Sequence, residues 1–440
     1  MTFFELSKIN RLVPLIFSFG ALSISQKGLA LLISTQAIAL LGASEFGRYA
    51  YVLNIVTLAS MFALLGFPQL LVREISVSAA LNDKARISGL VRFAVASVGA
   101  ALLLSAILAV LSFSHLGIPD DQNANLWLSA FALLAALTIV GIQQAILRGA
   151  NRVLAAAWPI MILQPAFSLM FLIAAKSIYT GWKSSSVFIL FSISYFTASI
   201  ILLIVILRDH NLRRAIIALP VYEPRKWLGS LWPFFMIGGL SMLMAQIALL
   251  VLGFFVEDEY LGYYSIAAQV AVLILLPATF ISHTIEPRLA EAYARNESEK
   301  MRDLIGKLTF WSASFAFAGL AMLWFFGEFV LRIVFGLEFL AAFEPLMILA
   351  TGSAISVAIG PMGIFLSMAG HERNTMIGSI FGVLLSFCLT LTLIPRLGIN
   401  GAALATSISL ILMKATYSWF AYKKLGIPPS IILIINRIKS

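Results

Sequence analysis

Long uncharged apolar runs alternate with short polar breaks along the whole chain. Each run is long enough for the roughly 20 apolar residues that a helix needs to cross hydrocarbon. This pattern predicts twelve membrane-spanning helices, over 12–41, 49–72, 93–114, 125–147, 153–175, 186–207, 227–255, 261–285, 308–327, 345–369, 374–395 and 399–421. The runs are continuous, as in Ala101-Leu102-Leu103-Leu104-Ser105-Ala106-Ile107-Leu108, where a membrane β-barrel would alternate apolar with polar residues. The predicted fold class is an all-α polytopic membrane protein. The first run has no convincing signal-peptide cleavage pattern and is expected to be retained.

Composition agrees. Charged residues make up 11% of the 440, and mean hydropathy is +0.98. A water-soluble protein of this length could not cover its surface with so few charges. The placement of the charges predicts an orientation. With the N-terminus in the cytoplasm, 23 of the 30 basic residues fall in inside segments and five outside, as positive-inside sorting demands for twelve spans with both termini cytoplasmic. The net charge of +10 is therefore a topology signal. It does not point to nucleic acid, because the basic residues stand at helix ends.

The first half is similar to the second at an offset near 215. Gly47 meets Gly262, Tyr49 meets Tyr264, Asn54 meets Gln269, Arg73 meets Arg288, and Lys84-Ala85-Arg86 is echoed by Lys300-Met301-Arg302. Six spans per half return the chain to one side, so the halves are expected to be parallel, with a substrate site between them. The predicted organisation is an N-terminal lobe over 1–210, a cytoplasmic linker over 211–226, a C-terminal lobe over 227–424 and a cytoplasmic tail over 425–440.

A charge in mid-membrane is a functional hypothesis by default. Lys27 lies between two uncharged stretches, and helical spacing puts it on a stripe with Ser23 and Ser34 and beside Gln26. It could receive a diphosphate, as a compact cation suited to phosphate. The plainer reading is a lysine that snorkels to an interface. Arg48, Arg73 and Arg148 stand at span ends and could line a funnel for an anionic headgroup, or could simply anchor the topology. Asn54 and Gln269, matched across the repeat, suit sugar hydroxyls, or else hold helices together. His283 and Glu286 are three apart on one helix face and form the candidate ion-coupling pair, or a cluster at the membrane boundary. Lys414 also lies within a span. The span prolines Pro14, Pro68, Pro159, Pro165, Pro233, Pro277 and Pro361 predict kinks or static packing bends. There is no phosphate-binding Gly-x-x-x-x-Gly-Lys-Ser/Thr loop, no Cys/His metal cluster and no Ser/His/Asp constellation, so neither a catalytic role nor a cofactor is expected.

Three segments carry a resemblance. Phe46-Gly47-x-Tyr49 opens the second span, Arg73-Glu74 closes it, and Gly398-x-x-Gly401-Ala402-Ala403-Leu404-Ala405-Thr406 opens the twelfth. In these the chain resembles bacterial polysaccharide repeat-unit flippases, the O-antigen (Wzx-like) type of the multidrug/oligosaccharidyl-lipid/polysaccharide exporter superfamily. The resemblance implies a substrate of undecaprenyl-diphosphate-linked oligosaccharide, moved from the cytoplasmic to the periplasmic leaflet of the inner membrane by alternating access. It also implies two six-helix lobes around a central cavity. It further implies surface-polysaccharide or lipopolysaccharide synthesis, in which a polymerase and a chain-length regulator are the associated proteins. An ion-coupled multidrug exporter shares the span count and is the alternative. Such an exporter of cations needs acids within its spans, and mid-span acids are almost absent here.

Overall fold

The computed structural model describes residues 3–116, 121–178, 182–278, 297–369 and 371–426, and these are helical with no strand among them. Among the described residues, ten helical segments are long and apolar enough to cross a bilayer. Two of the ten are too long to be single spans. Leu22–Leu64 has 43 residues and Glu372–Leu425 has 54, whereas about 20 residues suffice to cross hydrocarbon. Each is broken at one glycine: Gly42 (φ 74°, ψ 175°) and Gly398 (φ 55°, ψ −132°). A side chain at either φ would be strained, and glycine makes the reversal at little cost. Divided there, the ten segments become twelve spans, matching the twelve apolar runs.

The polar and proline positions explain the finer breaks. Span 2 is interrupted at Leu65 and Gly66, both left-handed, and restarts as Phe67–Ala80 with Pro68 in its first turn. Gly66 is also a point of close approach, because a Cβ there would lie 2.8 Å from the backbone nitrogen of Phe235. Span 5 begins as Val153–Trp158, widens into a π turn at Pro159–Leu163 and continues as Gln164–Ile178. Span 10 ends at Gly360, followed by Pro361 and the short helix Met362–Met368.

The chain separates into two compact units, one of Phe17–Met242 and one of Met1–Ile16 with Leu243–Ser440. The first unit has a continuous core centred on Phe67, Leu70, Leu71, Ile75, Leu90, Leu147, Leu202 and Trp227. The segment expected to be a linker is built into this unit. Asp209 caps the short helix His210–Ile217 by accepting from the N–H groups of Asn211 and Leu212. Ser88 then donates to the carbonyls of Ile216 and Ala218, and the N–H of Val221 donates to Ala85 at 3.1 Å.

In the second unit, spans 11 and 12 pack through small residues. Gly378 meets Tyr417 and Gly382 meets Met413, so the antiparallel register brings Ser386 level with Ser409, both fully buried. Gly352 of span 10 lies directly against Ser407 of span 12, whose hydroxyl donates to Ile348 at 3.0 Å. Without a hydrophobic drive between helices in lipid, such close backbone approach is what holds spans together.

Candidate functional site

Lys27 lies in the first span and is half-buried. Ser23 and Ser34 are half-buried too, Ile33, Ala37 and Ile38 are buried, and Ile24, Gly28, Leu32 and Ala39 are exposed. In the second unit Lys414 is also half-buried within a span, its ammonium 6.0 Å from the ring centre of Tyr417. The Tyr417 hydroxyl shares a 2.7 Å hydrogen bond with Ser379. Among the described residues, every Asp and Glu stands at or near a span end or in a connection, so the charges deep within spans are lysines.

Arg73 and its neighbours form a network at the end of span 2. The Arg73 guanidinium donates to Glu74 at 2.9 and 3.1 Å and to the Ser230 hydroxyl at 3.0 Å, and it lies over the Phe234 ring at 5.1 Å. Glu74 also accepts from Arg86, which reaches Glu223 at 3.4 Å, and Glu223 pairs with Lys226 at 3.7 Å. Three cations share two carboxylates, leaving one positive charge in excess. The arginine stays half exposed, but much of its charge is already answered by Glu74. Sequence spacing offered Arg73 as a headgroup contact and gave no sign that Glu74 gathers two arginines around it.

Arg148 differs. It is exposed at the end of span 4, its Nε 3.4 Å from the carbonyl of Gln144 one turn earlier, and it makes no ion pair among the described residues. Its neighbour Arg152 is committed to Asp209 at 2.9 Å. Burial of Asp209 disfavours its charged form, but the N–H of Leu212, the Arg152 guanidinium and the N–H of Asn211 outweigh this and hold the carboxyl below the usual range. Arg48 lies 3.8 Å from Glu45, and Glu45 accepts from the N–H and hydroxyl of Ser184 at the start of span 6.

Asn54 is buried and Gln269 is half-buried. Their span starts are packed alike: Tyr49 of span 2 lies on Phe188 and Phe191 of span 6, at 5.0 and 5.7 Å, and Tyr264 of span 8 hydrogen-bonds Thr406 of span 12 at 3.1 Å. Two of the three segments that carry the family resemblance are thus packing devices, and the third, Arg73-Glu74, belongs to the charge network. Phe46 and Tyr49 are buried, Gly401 abuts the Leu393 carbonyl, and Ala402, Ala403 and Ala405 are fully enclosed. His283, Glu286 and the tail beyond 426 lie outside the described residues. No group of three or more potential metal ligands occurs among the described residues.

Comparison with known proteins adds identity to this geometry. Among solved structures, the fold is similar to the lipid II flippase MurJ in an inward closed conformation (TM-score 0.71, 16% identity, 96% of this chain and 91% of that one). It is also similar to an inward-facing multidrug resistance MATE family transporter of the MOP superfamily (TM-score 0.70, 15% identity, 92% and 98%). At these identities the likeness is one of fold. Two relatives come from Haloferax volcanii. The probable flippase AglR is 25% identical over 423 residues, 90% of this chain and 80% of AglR. The probable low-salt glycan biosynthesis flippase Agl15 is 26% identical over 173 residues, 39% of this chain and 36% of Agl15, so that match spans about a third of the relative's length. The family model described as polysaccharide biosynthesis protein matches residues 15–293, more than half of the chain. The chain belongs to the polysaccharide biosynthesis protein family, on a fold similar to that of MOP superfamily transporters.

Proposed function

We propose that this protein is a flippase for lipid-linked saccharide, and specifically that it carries undecaprenyl-diphosphate-linked oligosaccharide repeat units from the cytoplasmic to the periplasmic leaflet. The product would feed O-antigen or a related surface polysaccharide, and the protein would reside in the plasma membrane with both termini cytoplasmic. The observation that carries this reading is the sign of the charge within the described spans. The basic residues Lys27 and Lys414 lie within spans, and among the described residues acids keep to the span ends. A diphosphate crossing hydrocarbon needs positive charge at depth, whereas an organic cation needs a carboxylate there. The family match and the two flippase relatives support the same direction.

In the proposed cycle Lys27 meets the diphosphate, Arg148 and the surplus charge of the Arg73 network draw the headgroup toward the spans, and Asn54 and Gln269 bond sugar hydroxyls. Arg48 completes the cationic track at the opposite ends of the spans, and His283 with Glu286 is the proposed coupling pair. The polyprenyl tail stays in lipid while alternating access moves the headgroup.

The test is reconstitution. Proteoliposomes holding the purified protein and a fluorescent polyprenyl-diphosphate oligosaccharide are probed with a membrane-impermeant glycosidase. Protein-dependent loss of protection is the expected result. Unchanged protection, with uptake or efflux of cationic dyes by the same vesicles, would overturn the reading in favour of a drug exporter.

A further inference from the structure

We propose that residues 208–226 form a docking surface for anionic phospholipid headgroups. The segment joins the end of span 6 to the start of span 7, so it lies where those spans leave the hydrocarbon. It is held in one shape. Leu212 and Ala215 are buried, Ser88 takes the carbonyls of Ile216 and Ala218, and a side chain at Gly89 would collide with the backbone of Val221. Anchoring these residues leaves another set turned outward. Leu219 is 88% exposed, Ile217 65%, Tyr222 53% and Val221 51%. An apolar group this open beside a membrane gains stability by entering the interface.

The same segment carries Arg208, Arg213, Arg214 and Arg225, all exposed and none with an ion pair among the described residues. The nearby acids are spent elsewhere, Asp209 on Arg152 and Glu223 on Arg86 and Lys226. Four uncommitted guanidiniums flanking exposed aliphatic and aromatic side chains match a layer of phosphate above acyl chains. Charge complementarity selects anionic over zwitterionic lipid, and the open apolar residues select a membrane over a soluble anion. The rigid mounting on span 3 means that lipid bound here would bear directly on the first unit.

Two measurements on the full chain test this. In the first, the protein is placed in nanodiscs of equal phosphatidylcholine and phosphatidylglycerol, and retained lipid is counted by native mass spectrometry. Substituting R213Q, R214Q and R225Q together is expected to lower the preference for phosphatidylglycerol about tenfold, while R373Q, K423Q and K424Q together leave it in place. Equal retention in the two triple variants would overturn the proposal. The second uses the single cysteine, Cys388. In a C388A background, L219C carries an environment-sensitive dye, and brominated phosphatidylglycerol is expected to quench it. A fully solvated dye, or a Leu219 position that cross-links to a second copy of the chain, would also overturn it.

Discussion

Glu74 and Arg86 form an ion pair at the junction of spans 2 and 3, with side chains only 6% and 14% exposed. Arg73 shares the same carboxylate. Removing one member of such a pair strands a charge in a place poorly reached by water. Glu74→Ala is expected to cost about 3–5 kcal/mol, read as a lowered denaturation midpoint in detergent. Replacing both members, Glu74→Leu with Arg86→Met, is expected to recover most of that loss. A single variant as stable as wild type would show that the pair contributes little.

The Asp209 carboxyl is held below its ordinary range when folded. A depressed folded value means that the unfolded chain takes up the proton first as pH falls. The stabilisation is therefore fully present above the unfolded value, near about 3.9, and is lost as pH drops through the lower folded value. Asp209→Asn keeps a good cap for the helix His210–Ile217 but removes the charge. The stability advantage of wild type over Asp209→Asn, followed from neutral pH downward, is expected to shrink in acid. An advantage independent of pH would place it in shape alone.

Gly352 packs on Ser407 with no room for a methyl group. Gly352→Ala is expected to destabilise the protein by about 1–3 kcal/mol through overpacking, and Ser407→Gly in the same chain to restore part of it. Gly229 is the contrast, because nothing lies within 4 Å of an added Cβ there. Gly229→Ala is expected to be neutral or stabilising, since alanine favours helix. Thermal unfolding of the three variants separates the cases, and equal midpoints for Gly352→Ala and wild type would contradict the packing.

The spans were legible in the sequence because lipid imposes one simple demand, an unbroken apolar run, on each of them. The breaks at Pro68 and Pro159 were legible for a similar reason, since a missing N–H leaves few options, whereas Pro233 sits inside the single helix Pro224–Leu252. Partners were much less so. Helical spacing put Lys27 with Ser23 and Ser34, but no periodicity tells that Glu74 joins Arg73 to Arg86, or that Gly382 meets Met413. Those relations depend on which helix lies alongside and in what register. Arg73, read from the sequence as a headgroup contact or a topology anchor, bonds to Glu74 and Ser230 in the structure. Arg148, no different by spacing, keeps its charge exposed.

The central proposal is that a lysine within the first span receives a diphosphate on its way through the membrane. The most direct measurement compares wild type, Lys27→Arg and Lys27→Ala in the reconstituted glycosidase-protection assay, at matched protein insertion. The expected outcome is a loss of at least about tenfold in translocation for Lys27→Ala, with partial activity kept by Lys27→Arg. Wild-type translocation by Lys27→Ala would contradict it.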